Sequence, residues 1–179
     1  AGREAILAER IIDATGDADV AHRAGATTLM QAKEDMIGAS VMFSMSGVNK
    51  TKFIEHVKAD PQTYRDWAYG QWTVETAGKE DEMFSPFLRK PFEKAREAGL
   101  IPEHLDTIAG TWGALSDTGD LTYLNLVHLL GYDGTDPDDL TRGEMEGRKQ
   151  AMLAISALKQ YTPGCENAKL RNFGMTLGI

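Results

Sequence analysis

Helix-like and strand-like stretches follow one another irregularly along this chain, and that order is the strongest limit on its fold. Residues 4–13 and 39–45 predict strands, whereas residues 50–59 and 142–160 predict helices. The regular alternation of strand and helix that builds a parallel sheet is absent. We therefore predict an α+β fold with mixed helices and a small, mostly antiparallel sheet.

Further elements are marked by residues that stop or start them. Gly99 and Pro102 end a predicted helix over residues 91–98. Residues 106–114 and 121–129 predict two strands joined by a turn-rich loop. This pair supplies the hairpin of the expected antiparallel sheet.

Helix caps predict where two helices begin. Thr141 and Glu144 have the spacing of a capping box, which predicts the start of the longest helix. Asp17 is the predicted N-cap of a short helix over residues 18–24, and Gly25 is expected to take the left-handed conformation after it.

Charge and cysteine content narrow the class of protein. The 179 residues carry a formal net charge of −8, which argues against a nucleic-acid or membrane-surface binder because phosphate contacts need clustered cations. The single cysteine, Cys165, excludes an internal disulfide and a zinc site made only of cysteines. No histidine lies near Cys165 in sequence, so the sequence does not support a role of this thiol as a nucleophile. No apolar run approaches a membrane span and no signal peptide is evident, so we predict a cytoplasmic protein.

Both ends of the chain fall within strand-like segments. Natural domain ends are usually polar and exposed, so we expect an internal fragment of a longer protein. Such a fragment should expose apolar surface and could self-associate.

The sharpest local pattern is the run of small residues Asp13-Ala14-Thr15-Gly16-Asp17, where the predicted strand turns into the predicted helix. Glycine has no Cβ and a helix start offers free N–H groups, so a ligand could approach this backbone closely. An ordinary tight turn would need the same glycine. The pattern alone leaves both interpretations open.

This run resembles the flavin-contacting ATG-D motif of FAD-dependent oxidoreductases with the glutathione-reductase type of flavin fold. Four later stretches are also similar to that family: residues 119–125, 131–137, 140–148 and 161–168. The resemblance implies three parts. Residues 1–25 would end the flavin-binding domain, residues 26–170 would form the substrate or cap domain, and residues 171–179 would be a strand returning toward the flavin domain.

The resemblance also implies a cofactor and a reaction. FAD would be the cofactor of a parent enzyme that transfers hydride between a small organic substrate and flavin. Ala14, Thr15 and Gly16 would contact the flavin through their backbone and small size, and Asp17 would cap the next helix or meet a polar cofactor group. Asp13 would have a structural role at the end of the strand.

The family's glycine-rich pyrophosphate motif is missing from this sequence. The chain alone is therefore expected to bind FAD poorly and to be inactive. Its expected partners are a small-molecule substrate and the missing flavin-domain portion of the same protein. The alternative is a non-catalytic ligand-binding or interaction module related to flavoenzymes.

Asn125 and His128 are the candidate substrate residues, at the edge of the flavin. A three-residue offset on a strand places them on opposite faces unless the strand bulges. His128 could instead be a satisfied, partly buried histidine.

Two clusters have a structural and a functional interpretation. The aspartates after residue 132 lack the glycine of a calcium loop, so we predict that they make turns and helix caps. The histidines lack the spacing of metal ligands, so we predict no histidine metal site. The aromatic residues could line a substrate pocket or belong to a core or domain interface. The aspartates are Asp133, Asp136, Asp138 and Asp139; the aromatic residues are Tyr64, Trp67, Tyr69, Trp72 and Trp112.

Overall fold

A computed structural model of the protein describes residue 2, residues 4–59 and residues 88–179. Contacts divide the chain into two compact units, Ala1–Ala32 and Lys33–Ile179. Tyr64, Trp67, Tyr69 and Trp72 lie outside the described residues.

The first unit contains one short helix, α1, at Asp19–Arg23. The strand predicted over residues 4–13 is wrong: these residues have no regular structure and their side chains are largely exposed. A strand needs a neighbouring strand to pair its backbone N–H and C=O groups, and the described part of this unit offers none.

The described residues of the second unit form three helices besides a 3₁₀ turn at Lys33–Asp35. They are α2 at Lys50–Ala59, α3 at Lys90–Glu97 and α4 at Pro137–Tyr161. The predicted bounds of α2 are confirmed, and those of α3 are correct to within one residue. In the described part of the chain, none of the helices combines the length and apolar character needed to cross a membrane.

Helix α4 begins five residues before its predicted start. Asp136 is its N-cap, and its side chain accepts a hydrogen bond from the N–H of Asp138 at 2.9 Å. Thr141 lies inside the helix, where its hydroxyl donates to the carbonyl of Pro137 at 2.9 Å. The predicted capping box is wrong because an Asp-Pro pair supplies both a side-chain cap and a preorganised first helical residue.

Within residues 4–59 and 88–179, four antiparallel strands form one sheet, which confirms the α+β class. They are β1 at Phe43–Ser46, β2 at Ala114–Leu115, β3 at Leu121–Leu124 and β4 at Lys169–Phe173, in the spatial order β2-β3-β1-β4. Each of the four predicted strands in this unit is shorter than expected, and of the strand predicted over residues 171–179 only residues 171–173 belong to β4. Their flanking residues form only isolated bridges, such as Ala39 with Leu129 and Thr111 with Asn125.

One face of the sheet packs against the helices and builds the core. Along residues 39–46, buried and half-buried side chains alternate, as a strand with one core-facing side requires. Trp112 belongs to this core and meets Phe53 edge-on, with ring centroids 5.5 Å apart. Each large apolar side chain buried here contributes about 1.5–3 kcal/mol relative to exposure. The largest are Phe43, Met45, Phe53, Phe92, Leu121, Leu124 and Leu158.

Candidate functional site

The small-residue run forms a tight turn organised by the carboxylate of Asp13. One carboxylate oxygen accepts the N–H of Thr15 at 3.0 Å and its hydroxyl at 2.7 Å. The other accepts the N–H of Ala21, eight residues along the chain, at 2.9 Å. Asp13 thus closes the loop between the extended segment and α1.

Thr15, and not the predicted Asp17, supplies the side chain that caps the start of α1. Its Oγ1 accepts the N–H of Asp19 at 3.0 Å, while the residue at the N-cap, Ala18, has a φ of 57° and makes no side-chain cap. The prediction for Asp17 was wrong because the Asp13–Thr15 turn brings the threonine hydroxyl over the first free N–H groups.

The predicted end of α1 is confirmed. Gly25 has a φ of +84°, and its N–H donates to the carbonyl of His22 at 3.0 Å. The N–H of Ala26 reaches the carbonyl of Ala21 at 3.0 Å, which completes a Schellman motif.

An open cleft of about 480 Å³ lies beside this turn. Its walls are formed mainly by small residues, so backbone rather than side chain is presented to it. The N–H groups of residues 16–18 have no hydrogen-bond partner among the described residues. The lining residues are Asp13, Ala14, Gly16, Ala18 and Ala21.

Hydrogen bonds to the Asp13 carboxylate favour its charged form. The N–H of Ala21 contributes most, followed by the hydroxyl and N–H of Thr15, and together they hold the pKa of Asp13 below its usual value of 3.8. The carboxylate is therefore a fixed negative charge at neutral pH and belongs to the architecture of the turn.

Asn125 and His128 make separate hydrogen bonds. The amide oxygen of Asn125 accepts a hydrogen bond from Ser40, whereas Nε2 of His128 lies 3.0 Å from the carbonyl oxygen of Ala109. Both residues are half-buried. The His128 contact matches the interpretation as a satisfied histidine, and a role of either residue toward substrate stays a prediction.

The sheet does bulge, upstream of Asn125. Phe43 pairs with Leu124 and Met45 with Leu121, so two steps along β1 span three along β3. The extra residue is accommodated at Tyr123, whose φ is 53°. Sequence reasoning did not single out Ser40 or Tyr123.

Asp133 and Asp136 perform the predicted turn and cap chemistry, whereas Asp139 forms a buried ion pair. Asp133 accepts the N–H and hydroxyl of Thr135 at 2.8 and 2.7 Å, which lowers the pKa of Asp133. Asp139 is fully buried; it is paired with Lys33 and Arg142 and accepts the N–H of Asp133 at 2.9 Å. Among the residues that the structure describes, no group of three or more His, Cys, Asp or Glu side chains could hold a metal ion.

Cys165 is buried in the core between α4 and β4. Desolvation, with a smaller effect of the Glu166 charge, raises the pKa of its thiol to about 12. A thiol in this state is a poor nucleophile, because the thiolate is the reactive form.

Comparison with known proteins identifies the family to which the chain belongs. No curated protein and no solved structure gives a significant match to the chain. The family model described as FAD dependent oxidoreductase matches residues 1–179, the entire chain. The chain therefore belongs to the FAD dependent oxidoreductase family.

Proposed function

We propose that this chain is part of a flavoenzyme that transfers hydride between a small organic substrate and FAD. Membership of the family supports FAD as the cofactor. When bound, FAD supplies the hydride chemistry, while the protein binds and orients the reactants. The observation that carries the site assignment is the turn held by Asp13 and Thr15.

The residues of this turn fit a flavin contact. Gly16 has a φ of +92°, and a Cβ placed on it would have no heavy atom within 4 Å. Gly16 lines the cleft without a side chain, and Ala14 beside it adds only a methyl group. Backbone N–H groups in such a turn can donate to a cofactor directly. We assign Ala14, Thr15, Gly16 and Asp17 to FAD binding.

The domain assignment belongs to the same proposal. Residues 1–25 would be the end of the flavin-binding domain, residues 26–170 the substrate domain and residues 171–179 the strand returning toward the flavin domain. Asn125 and His128 would be the substrate-side residues, each with one hydrogen bond to the sheet region. A cytoplasmic location follows from the composition and is part of the proposal.

Exposed apolar side chains in the first unit support a further partner. Ile6, Leu7, Ile11 and Ile12 are between 70% and 98% exposed. Isolated apolar side chains on a surface are ordinary, but four in seven residues favour coverage by other protein. We propose that another portion of the flavin domain covers this segment, and that the chain self-associates without it.

The test is a titration with FAD, followed by flavin fluorescence, on the chain alone and on the protein from its complete reading frame. Gly16→Ala should weaken FAD binding by about tenfold, the equivalent of about 1.4 kcal/mol. Gly25→Ala is the matched control, because Gly25 also has a positive φ and open space around it but does not line the cleft.

The outcomes separate the possibilities. Equal losses in both variants would mean that backbone strain, rather than cofactor contact, explains the effect. A complete protein that carries no flavin would contradict the proposal and favour the non-catalytic module. Tight binding by the isolated chain would show that it needs no glycine-rich pyrophosphate motif.

A further inference from the structure

A second cleft, here called the α4-end cleft, is lined by the end of α4 together with residues of α2 and α3. Its volume of about 320 Å³ is suited to a small molecule. The lining residues are His56 of α2, Lys94 of α3, residues 159–163 and Glu166. All of them belong to the second unit, so this cleft shares no residue with the turn of the first unit.

Two lysines from different helices line the α4-end cleft. Lys94 and Lys159 form no ion pair with any residue that the structure describes. A lysine in the last turn of a helix complements the negative end of the helix dipole, which explains one lysine on each helix. The dipole does not require the two side chains to line the same cleft. Together they present two positive charges to one ligand.

A buried hydroxyl in the wall of the cleft lacks a hydrogen-bond partner. Thr162 is only 2% exposed, and its Oγ1 makes no hydrogen bond within the described part of the chain. An unpaired buried hydroxyl lowers stability, and valine would fill the same space without this loss. A ligand that accepts the hydroxyl proton explains why residue 162 is threonine.

Neighbouring residues orient two further polar groups of the cleft. Nε2 of Gln160 donates to the hydroxyl oxygen of Tyr161 at 3.0 Å, which leaves the phenolic proton to donate to a ligand. The Glu166 carboxylate accepts the N–H of Gly164 at 3.1 Å and lies near the charge of Lys52. Glu166 is thus held in the loop after α4, and Lys52 partly compensates its charge.

The two helices that supply His56 and Lys94 are positively charged, although the protein is acidic. Helices α2 and α3 together carry six lysine or arginine residues against three glutamates, whereas the whole chain has a formal net charge of −8. A local excess of one sign of charge raises the concentration of oppositely charged ligands beside it. The charge distribution therefore favours an anionic ligand in this cleft.

We infer that the α4-end cleft binds a small phosphorylated metabolite through its phosphoryl group. Lys94 and Lys159 neutralise the phosphoryl charge, and the hydroxyls of Thr162 and Tyr161 donate to its oxygens. Arginine is suited to the planar fork of a carboxylate, whereas lysine binds phosphate as a point charge. The described lining residues include two lysines and no arginine, which favours a phosphoryl group.

The test is calorimetric titration of the protein from the complete reading frame, saturated with FAD so that a pyrophosphate site of the cofactor is already filled. The probe is glucose 6-phosphate, and glucose is its neutral control. Glucose 6-phosphate should bind at least about tenfold more tightly than glucose, because only the phosphoryl group meets the lysines. Inorganic phosphate should compete with it.

Substitutions in the cleft locate the binding site. Lys94→Met and Lys159→Met should each raise the Kd for glucose 6-phosphate by about threefold. Thr162→Val should raise the Kd by about fivefold, and Thr162→Ser should retain the affinity. The matched control is Lys149→Met, at an exposed lysine of the same helix that does not line the cleft.

Thr162→Val separates a ligand contact from a structural role. Its hydroxyl has no partner to lose in the described part of the chain, so the urea midpoint should not fall while the affinity does. Equal affinities for glucose and glucose 6-phosphate would overturn the inference. So would an unchanged Kd in Thr162→Val, or a loss in Lys149→Met as large as that in Lys159→Met. Binding of glucose 6-phosphate by a protein that takes up no flavin would contradict the oxidoreductase proposal alone.

Discussion

The hydroxyl of Ser40 donates a hydrogen bond to the amide oxygen of Asn125, although 85 residues separate the two positions. The bond joins the segment that leads into β1 to the residue that follows β3. Both residues are half-buried, so a broken bond would leave the amide oxygen partly shielded from water.

Ser40→Ala should therefore lower the free energy of unfolding by about 1 kcal/mol. Urea denaturation measures this change. Ser46→Ala is the control, since Ser46 is half-buried in β1 and makes no side-chain hydrogen bond with the described residues. Equal effects of the two substitutions would show that the bond does not stabilise the sheet.

Asp139 is the fully buried carboxylate at the start of α4. Asp139→Ala removes the partner of both Lys33 and Arg142 and the acceptor for the Asp133 N–H. We expect the free energy of unfolding to fall by about 3 kcal/mol. This is the lower end of the range for breaking a buried ion pair, because the two cations can turn to solvent. Thermal unfolding measures this loss, and the control is Asp138→Ala, at the exposed neighbouring residue. A loss as small as that of the control would contradict the anchoring role.

Acid should loosen the turn around α1. The pKa of Asp13 is lowered in the folded protein, so its hydrogen bonds contribute stability above its ordinary value of 3.8, and this contribution is lost as the pH falls through the folded pKa. NMR titration of the Asp13 carboxyl carbon should give a midpoint below 3.8. Thr15→Val should move that midpoint upward, because the hydroxyl bond is lost. An unchanged midpoint would contradict the assigned cause.

Gly110 has a neighbour that leaves no room for a side chain. A Cβ on it would overlap the carbonyl oxygen of Asn125 and lie 3.3 Å from Nε2 of His128. Gly110→Ala should destabilise the protein by more than about 4 kcal/mol. Gly99→Ala should cost about 1 kcal/mol, because Gly99 has a φ of +71° but open space. Urea denaturation measures both losses of unfolding free energy. Similar losses in the two variants would mean that the positive φ, and not the lack of space beside Asn125, explains the cost.

Cys165 should resist modification in the folded protein. Its thiol is fully buried, and its pKa of about 12 leaves almost no thiolate at neutral pH. A colorimetric thiol reagent should react slowly with the native protein and rapidly once urea is added. Rapid reaction of the native protein would show that the core around β4 opens readily.

Local signals predicted the elements whose causes lie within a few residues. The end of α3 near Gly99 and the left-handed Gly25 follow from glycine and proline in the same few residues. The start of α4 was misjudged because two local signals competed, and Asp136-Pro137 was stronger than Thr141. The α+β class followed from the irregular order of these elements.

By itself, then, the sequence determined the helices, the turn at Asp13–Thr15 and the resemblance to flavoenzymes. Only the tertiary structure decided that residues 4–13 form no strand, that Tyr123 lies on a bulge and that Asn125 is paired with Ser40. The physical reason is the range of the interactions. Caps and turns are closed within a few residues, whereas strand pairing and side-chain partners depend on which distant segments meet when the long loops close.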